Sequence, residues 1–243
     1  MKRRNVITAI GTLAIGTGTV LGTGATEVLS SNGDGSFRVV SPGANISITV
    51  PDNPGANVSV FQDDNDDADG DAAAGGIDFG SLEQMDLPAV HVIDNSNSSG
   101  GMIEIQVAIE KGSGAQDLGK IFDIVNNNPD TAYDVGFEFT TFGNAVTTNG
   151  GTVTPATAKE AFQFVNSDGN VISSDPNEST HNPQNFVTVA ASADSGSRVP
   201  VSLETDATLG NISSEFDTSG TFGDVSENIT LIEEVTAVAE PTQ

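Results

Sequence analysis

Residues 103–110 read Ile-Glu-Ile-Gln-Val-Ala-Ile-Glu, and apolar–polar alternation of this kind suits a half-buried β-strand and almost nothing else. Ile103, Ile105, Val107 and Ile109 share one face, while Glu104, Gln106 and Glu110 share the other. The same period of two returns where Tyr133, Val135, Phe137 and Phe139 oppose Asp134, Glu138 and Thr140. Further strand candidates are Phe37–Val40, Ile46–Val50, Val58–Val60, Leu87–Ile93, Ala161–Val165, Phe186–Val189, Val199–Leu203 and Ile229–Ile232, each bounded by Gly, Pro, Asn or acidic turns. The reading is all-β, with about nine to eleven strands and short helical insertions. Leu118–Val125 and Leu209–Phe216 are the helical candidates, and neither sustains helical spacing. Two sheets packed around one core are expected, with a barrel as the alternative.

Such a core must be built without two common resources, because the 243-residue chain has no Cys and no Trp. Twelve Phe can supply the bulk, eleven of them from Phe61 onward. The absence of Cys excludes disulfides, thiol nucleophiles, c-type haem attachment and Cys-ligated metal. Acids dominate the surface: 34 Asp plus Glu face 8 Lys plus Arg, a formal charge of −26 that repels nucleic-acid backbones and anionic membranes. Because the acids fall at solvent-facing positions of alternating segments, they describe a coat on a folded domain rather than a disordered chain. Concentrated salt, with a screening length of roughly 3 Å at 1 M, suits that coat and points to a salt-adapted archaeon.

Residues 1–25 break the pattern. Lys2, Arg3 and Arg4 precede a mildly apolar stretch, Val6–Leu21, and Thr23 and Ala25 are small residues placed for cleavage, as in an export signal. The Arg pair followed by Asn5, Val6 and Ile7 suits the twin-arginine route. Cleavage after Ala25 leaves a single domain, 26–243, whose strong cations are Arg38, Lys111, Lys120, Lys159 and Arg198 against all 34 acids, a net −29. The leader is too short and too rich in Gly and Thr for a membrane span. The mature chain is therefore expected outside the cell or on its surface, without stable membrane insertion.

Three segments carry a family resemblance: GTLAIGTGTVLGTGA in the leader, DLGKIFDIVNNNPDTAYDVGFEF from Asp117 to Phe139, and SGSRVPVSLETDA from Ser195 to Ala207. Together they resemble the secreted fibre-forming family that includes TasA and camelysin, and related archaeal surface and pilus proteins. The resemblance implies a jelly-roll-like β-sandwich, and polymerisation when an N-terminal segment completes the sheet of a neighbour. Here the donated element would be Phe37, Val39 and Val40 behind the polar stretch Thr26–Gly35, and the partners would be other copies of the chain or other surface proteins; the alternative is an ordinary first strand that pairs within its own domain.

Catalytic signatures are missing. His91 and His181 stand 90 residues apart, outside any His-rich metal motif, and no nucleophile elbow, P-loop or dinucleotide fingerprint is complete. No cofactor is expected, Ca²⁺ apart: within the acidic loop 62–76, Asn65, Asp67, Asp69 and Asp71 with Gly70 imitate the first half of an EF-hand loop. The second half fails, since Gly76 occupies the place of the bidentate Glu. Asn45, Asn57, Asn97, Asn177, Asn211 and Asn228 each head an Asn-x-Ser/Thr sequon for N-glycosylation. The functional expectation is a noncatalytic secreted structural protein of the surface or matrix, a filament or pilus subunit. The alternative is a monomeric extracellular module binding Ca²⁺ or glycan, with an exported hydrolase third. An acidic coat of this density predicts a melting temperature that rises from ~0.1 M to ~2 M NaCl as self-repulsion is screened. A salt-independent melt would contradict it.

Overall fold

The computed structural model describes residues 6–9, 36–40, 45–62, 88–95, 102–110, 114–143, 146, 153–191, 197–210, 212 and 231–242. Among them the chain forms twelve strands and one helix. The strands are β1 (Val6–Ala9), β2 (Ser36–Val40), β3 (Ile46–Thr49), β4 (Val58–Gln62), β5 (Ala89–Asn95), β6 (Met102–Glu110), β7 (Gln116–Asn126), β8 (Tyr133–Phe142), β9 (Phe162–Asn166), β10 (Val187–Val189), β11 (Ser197–Thr205) and β12 (Ile232–Pro241). Helix α1 (Pro155–Ala161) lies between β8 and β9.

The all-β expectation holds, with several local corrections. β1 falls inside the expected leader, so eleven strands belong to the 26–243 stretch and the whole described chain carries twelve. Leu118–Val125 lies within strand β7, not a helix. Most of the other helical candidate, Leu209–Phe216, lies outside the described residues, and Ile212 within it is helical. Helix α1 was not expected; Thr154 caps its first turn by accepting a bond from the Thr157 N–H at 3.1 Å, and Pro155 opens it. The strand expected at Ile229–Ile232 instead starts at Ile232 and runs ten residues to Pro241.

Eight strands form one sheet, in the order β10-β8-β12-β2-β6-β5-β4 with β1 also paired to β6; four form the other, in the order β3-β7-β11-β9. Pairing is antiparallel except for β2 with β12 and β4 with β5. Buried residues of both sheets join in one apolar cluster. At its centre Phe122 of β7 and Phe164 of β9 meet Phe137 and Phe139 of β8, edge to face, with centroids 5.2 to 5.5 Å apart. Each such pair adds about 0.5–1.5 kcal/mol beyond its buried area.

Segment 171–174 ties the sheets along one flank. Ile172 accepts from the Phe137 N–H and donates to the Phe164 carbonyl, both at 2.8 Å. Ser174 Oγ accepts from Phe139 N–H at 2.8 Å, and Ser173 Oγ accepts from Phe164 N–H at 3.1 Å. Main-chain groups of β8 and β9 that would otherwise be unpaired in the interior are thereby satisfied.

The Asn-rich connection between β7 and β8 is organised by its side chains. Asn126 is fully buried, and its amide donates to the carbonyls of Thr131, Val189 and Ala190 at 2.9 to 3.1 Å. Its Oδ1 accepts from Asn128 N–H, and Asn128 Oδ1 accepts from Asp130 and Thr131 N–H. Proline is tolerated in β11 because Pro200 faces Asp123 of β7 and lies before Val201, the first residue paired to β9.

Register shifts interrupt the β7–β11 ladder, and Gly119 there adopts φ 88°. Gly55 donates to the Lys120 carbonyl at 3.0 Å, bringing the two glycine backbones so close that a Cβ on either would stand 2.7 Å from the other's Cα. Gly119→Ala should cost at least the ~1–3 kcal/mol of a non-glycine residue in left-handed backbone. Gly114→Ala, with nothing within 4 Å of its added carbon, should stay within about 0.5 kcal/mol of the parent. Equal losses for the two variants in urea unfolding would contradict this account.

Candidate functional site

Strand β2 occupies the middle of the larger sheet. Ser36, Phe37, Arg38 and Val39 pair with Gln106, Ile105, Glu104 and Ile103 of β6, while Arg38, Val39 and Val40 pair with Glu234, Val235 and Thr236 of β12. Its flanking partners Ile103, Ile105 and Val235 are all buried. Phe37, Val39 and Val40, the expected assembly residues, are thus paired within their own chain and join the β10-β8-β12 and β6-β5-β4 halves of the sheet. Arg38 holds the register position facing Glu104 on one side and Glu234 on the other. Opposite charges at facing positions of neighbouring strands contribute about 0.2–1 kcal/mol each, and like charges there are unfavourable. β1 pairs with Val107–Glu110 of β6, immediately beyond the positions that β2 occupies.

A second arrangement surrounds α1. Lys159 is only 1% exposed, and its ammonium donates to the carbonyls of Asp175, Glu178 and Thr180 at 3.1, 3.0 and 2.7 Å. Three donors meet three acceptors, so a buried charge is fully coordinated. Burial holds its pKa below the usual lysine value, against the opposing pull of the Asp175 and Glu178 carboxylates. A cleft of about 640 Å³ opens beside it, lined by Thr140, Phe142, Pro155, Pro176, Asn177 and His181 among others. The His181 ring lies 5.5 Å from that of Phe142, and burial followed by the nearby Lys159 charge lowers its pKa. Thr140 Oγ1 and His181 Nδ1 are buried without a hydrogen-bond partner.

The third cluster is an ion-pair clamp. Asp123, 1% exposed, lies 2.9 Å from Lys120 Nζ and 3.5 Å from an Arg198 guanidinium nitrogen, which also reaches Asp52 at 3.3 Å. It joins β7, β11 and the segment after β3, and carries no arrangement suited to catalysis.

Asn65, Asp67, Asp69, Asp71, Asn97, Asn211 and Asn228 lie outside the described residues. His91 belongs to β5, facing Gln106 and Ser59, while His181 lies in the segment held by Lys159. Asn45, Asn57 and Asn177 are all exposed. Among the described residues, no group of three or more His, Cys, Asp or Glu could hold a metal ion, and no helix is long and apolar enough to cross a membrane. Sequence reasoning missed the roles of Lys159 and of Glu104 and Glu234. The only signal for the first was a lone cation in the short run Pro-Ala-Thr-Ala-Lys-Glu-Ala; the register that selects the other two is a property of the fold. The chain matches no family model, no curated protein and no solved structure.

Lys159→Met should leave three carbonyls without their donor, each costing about 1–3 kcal/mol where water cannot replace it. An unchanged denaturation midpoint would count against the cage. His181 should titrate below the ordinary 6.5 in an NMR experiment. Between its folded value and 6.5 the unfolded chain holds the extra proton, so stability rises with pH across that window and is withdrawn on acidification through it. His181→Phe should remove that component of the pH dependence.

Proposed function

We propose that the chain is an exported, noncatalytic structural protein of the cell surface or extracellular matrix, and that mature copies join into filaments by exchanging strand β2. The reading takes the two sheets as a jelly-roll-like β-sandwich of the kind implied by the resemblance to the TasA and camelysin family. One observation carries it: the first strand after the expected leader is a five-residue insert between two strands from far along the chain, β6 and β12. A central strand at the start of a chain can be supplied by a neighbour without rethreading the rest of the domain, because its main-chain bonds and side-chain positions are the same in either arrangement. Arg38, between the register positions of Glu104 and Glu234, gives the exchanged strand a charge that fixes its alignment in an otherwise acidic sheet. Leader cleavage takes β1 away from Val107–Glu110 and leaves β6 backbone for a donated segment longer than β2.

Filaments of the mature protein should be visible by electron microscopy in high salt. Deletion of residues 26–40 should abolish them and lower stability, and a synthetic peptide spanning those residues should bind the truncated chain. Arg38→Glu should weaken assembly, with partial recovery when Glu104 and Glu234 are both changed to Arg. Filaments formed by the truncated chain would overturn strand exchange.

A further inference from the structure

Three sequons lie in the described residues, and their surroundings differ. At Asn45 the side-chain nitrogen donates to the Tyr133 hydroxyl at 3.0 Å. Its carbonyl accepts from Asn127 N–H at 2.7 Å, and the sequon hydroxyl, Ser47 Oγ, accepts from the Asn127 amide at 3.1 Å. At Asn177 both the main-chain N–H and the side-chain nitrogen donate to Asp175 Oδ1, at 2.8 and 3.1 Å. The next residue, Glu178, gives its carbonyl to the buried Lys159. These two acceptor amides are built into the structure, one into the β7–β8 turn and the other into the lysine cage.

Asn57 is different. It is exposed in the turn before β4, its side chain makes no hydrogen bond to another described residue, and Ser59, two residues on, is exposed as well. Val58 between them is buried, so the asparagine and the hydroxyl residue are presented outward together while the intervening side chain anchors the strand. A transferase acting on the folded protein, as export by the twin-arginine route requires, finds an open acceptor here and occupied ones at Asn45 and Asn177.

We infer that Asn57 is an N-glycosylation site of the folded protein, and that its glycan guards the outer edge of the larger sheet. The inference rests on the reading of the chain as exported. The co-reactant is an oligosaccharide carried on a polyprenyl phosphate or pyrophosphate. Asn57 Nδ2 bonds to the anomeric carbon, the bond from that carbon to the phosphate oxygen breaks, the lipid phosphate leaves with the electron pair, and one amide proton passes to the transferase base. Position gives the glycan its task. Among the described residues β4 ends the sheet order and pairs with β5 alone, along all five of its residues. β9, which ends the smaller sheet, is by contrast bridged at Val165 by Val171. An open strand edge invites pairing with other chains, and a hydrated glycan rooted one residue before β4 obstructs that approach sterically. Association is then left to β2.

The test is glycopeptide mass spectrometry on protein recovered from the medium and surface of the organism that makes it, with electron-transfer fragmentation to localise the sugar. The expected result is a hexose-containing addition at Asn57, with Asn45 and Asn177 bare. Asn57→Gln should remove that addition and give larger, irregular aggregates by light scattering. Bare Asn57 in the extracellular protein overturns the assignment alone; recovery of the chain only inside cells overturns export and the assignment with it. A glycosylated Asn57 whose Gln variant scatters light as the parent does overturns the edge-guarding role.

Discussion

The edge-to-face contact among Phe122, Phe137, Phe139 and Phe164 is the interaction on which the rest of the structure depends. These rings come from β7, β8 and β9, so they fix the spacing of the two sheets and the relative placement of three strands at once. A chain with no Trp and no disulfide has few other means of doing so. Segment 171–174 serves the same end with hydrogen bonds, taking up main-chain groups on β8 and β9 beside the rings they carry. The aromatic contact is non-directional in its main, apolar part, whereas the flanking bonds are directional. Together they set both the distance between the sheets and their register.

A second constraint is the scarcity of positive charge. Of the five strong cations beyond the expected leader, Lys120 and Arg198 clamp Asp123, Lys159 is caged by three carbonyls, and Arg38 faces two glutamate positions across the central strand. Each of these four lies at a junction between elements that sequence separation does not hold together, and the fifth, Lys111, is outside the described residues. Salt acts on them unequally. Arg198, with its side chain 42% exposed, is open to screening, whereas Lys159, 1% exposed, is screened less. A protein built this way can lose surface repulsion to salt while retaining its most buried electrostatic contact.

The strands legible in the sequence are those whose alternation combines large apolar residues with acids, such as Met102–Glu110 and Tyr133–Phe142. The alternation points to Ile229–Ile232 rather than to the full β12 because Glu233 and Glu234 interrupt its apolar pattern and Ala237 and Ala239 are weak signals, although Val235 and Ala237 are 1% and 3% exposed. Periodicity gives no strand signal over β7 for the opposite reason: Ile121, Phe122, Asp123, Ile124, Val125 and Asn126 are all buried, so period two disappears where both faces are covered, and only the family resemblance points to a strand there. The polar interior groups were still harder to read. Nothing in a run of three asparagines separates Asn126, whose amide satisfies three carbonyls, from the more exposed Asn127 beside it. That distinction depends on Val189 and Ala190 arriving from more than sixty residues away.

On the proposed function, the location of β2 also reconciles two demands that conflict in self-association. An unpaired edge long enough to bind a neighbour is equally open to wrong partners. A strand held in mid-sheet exposes no such edge while it is paired, and the acceptor exists only when that strand is absent. On the proposed reading, recognition is confined to a slot between β6 and β12 that accepts one length, one register and one charge pattern. The acidic coat then discourages other contacts, and Arg38 makes the proper one the exception to that repulsion. On that reading, specificity follows from the same imbalance that dominates the composition: in a chain with so few cations, one placed between two acidic register positions would set the donated strand apart from most other segments.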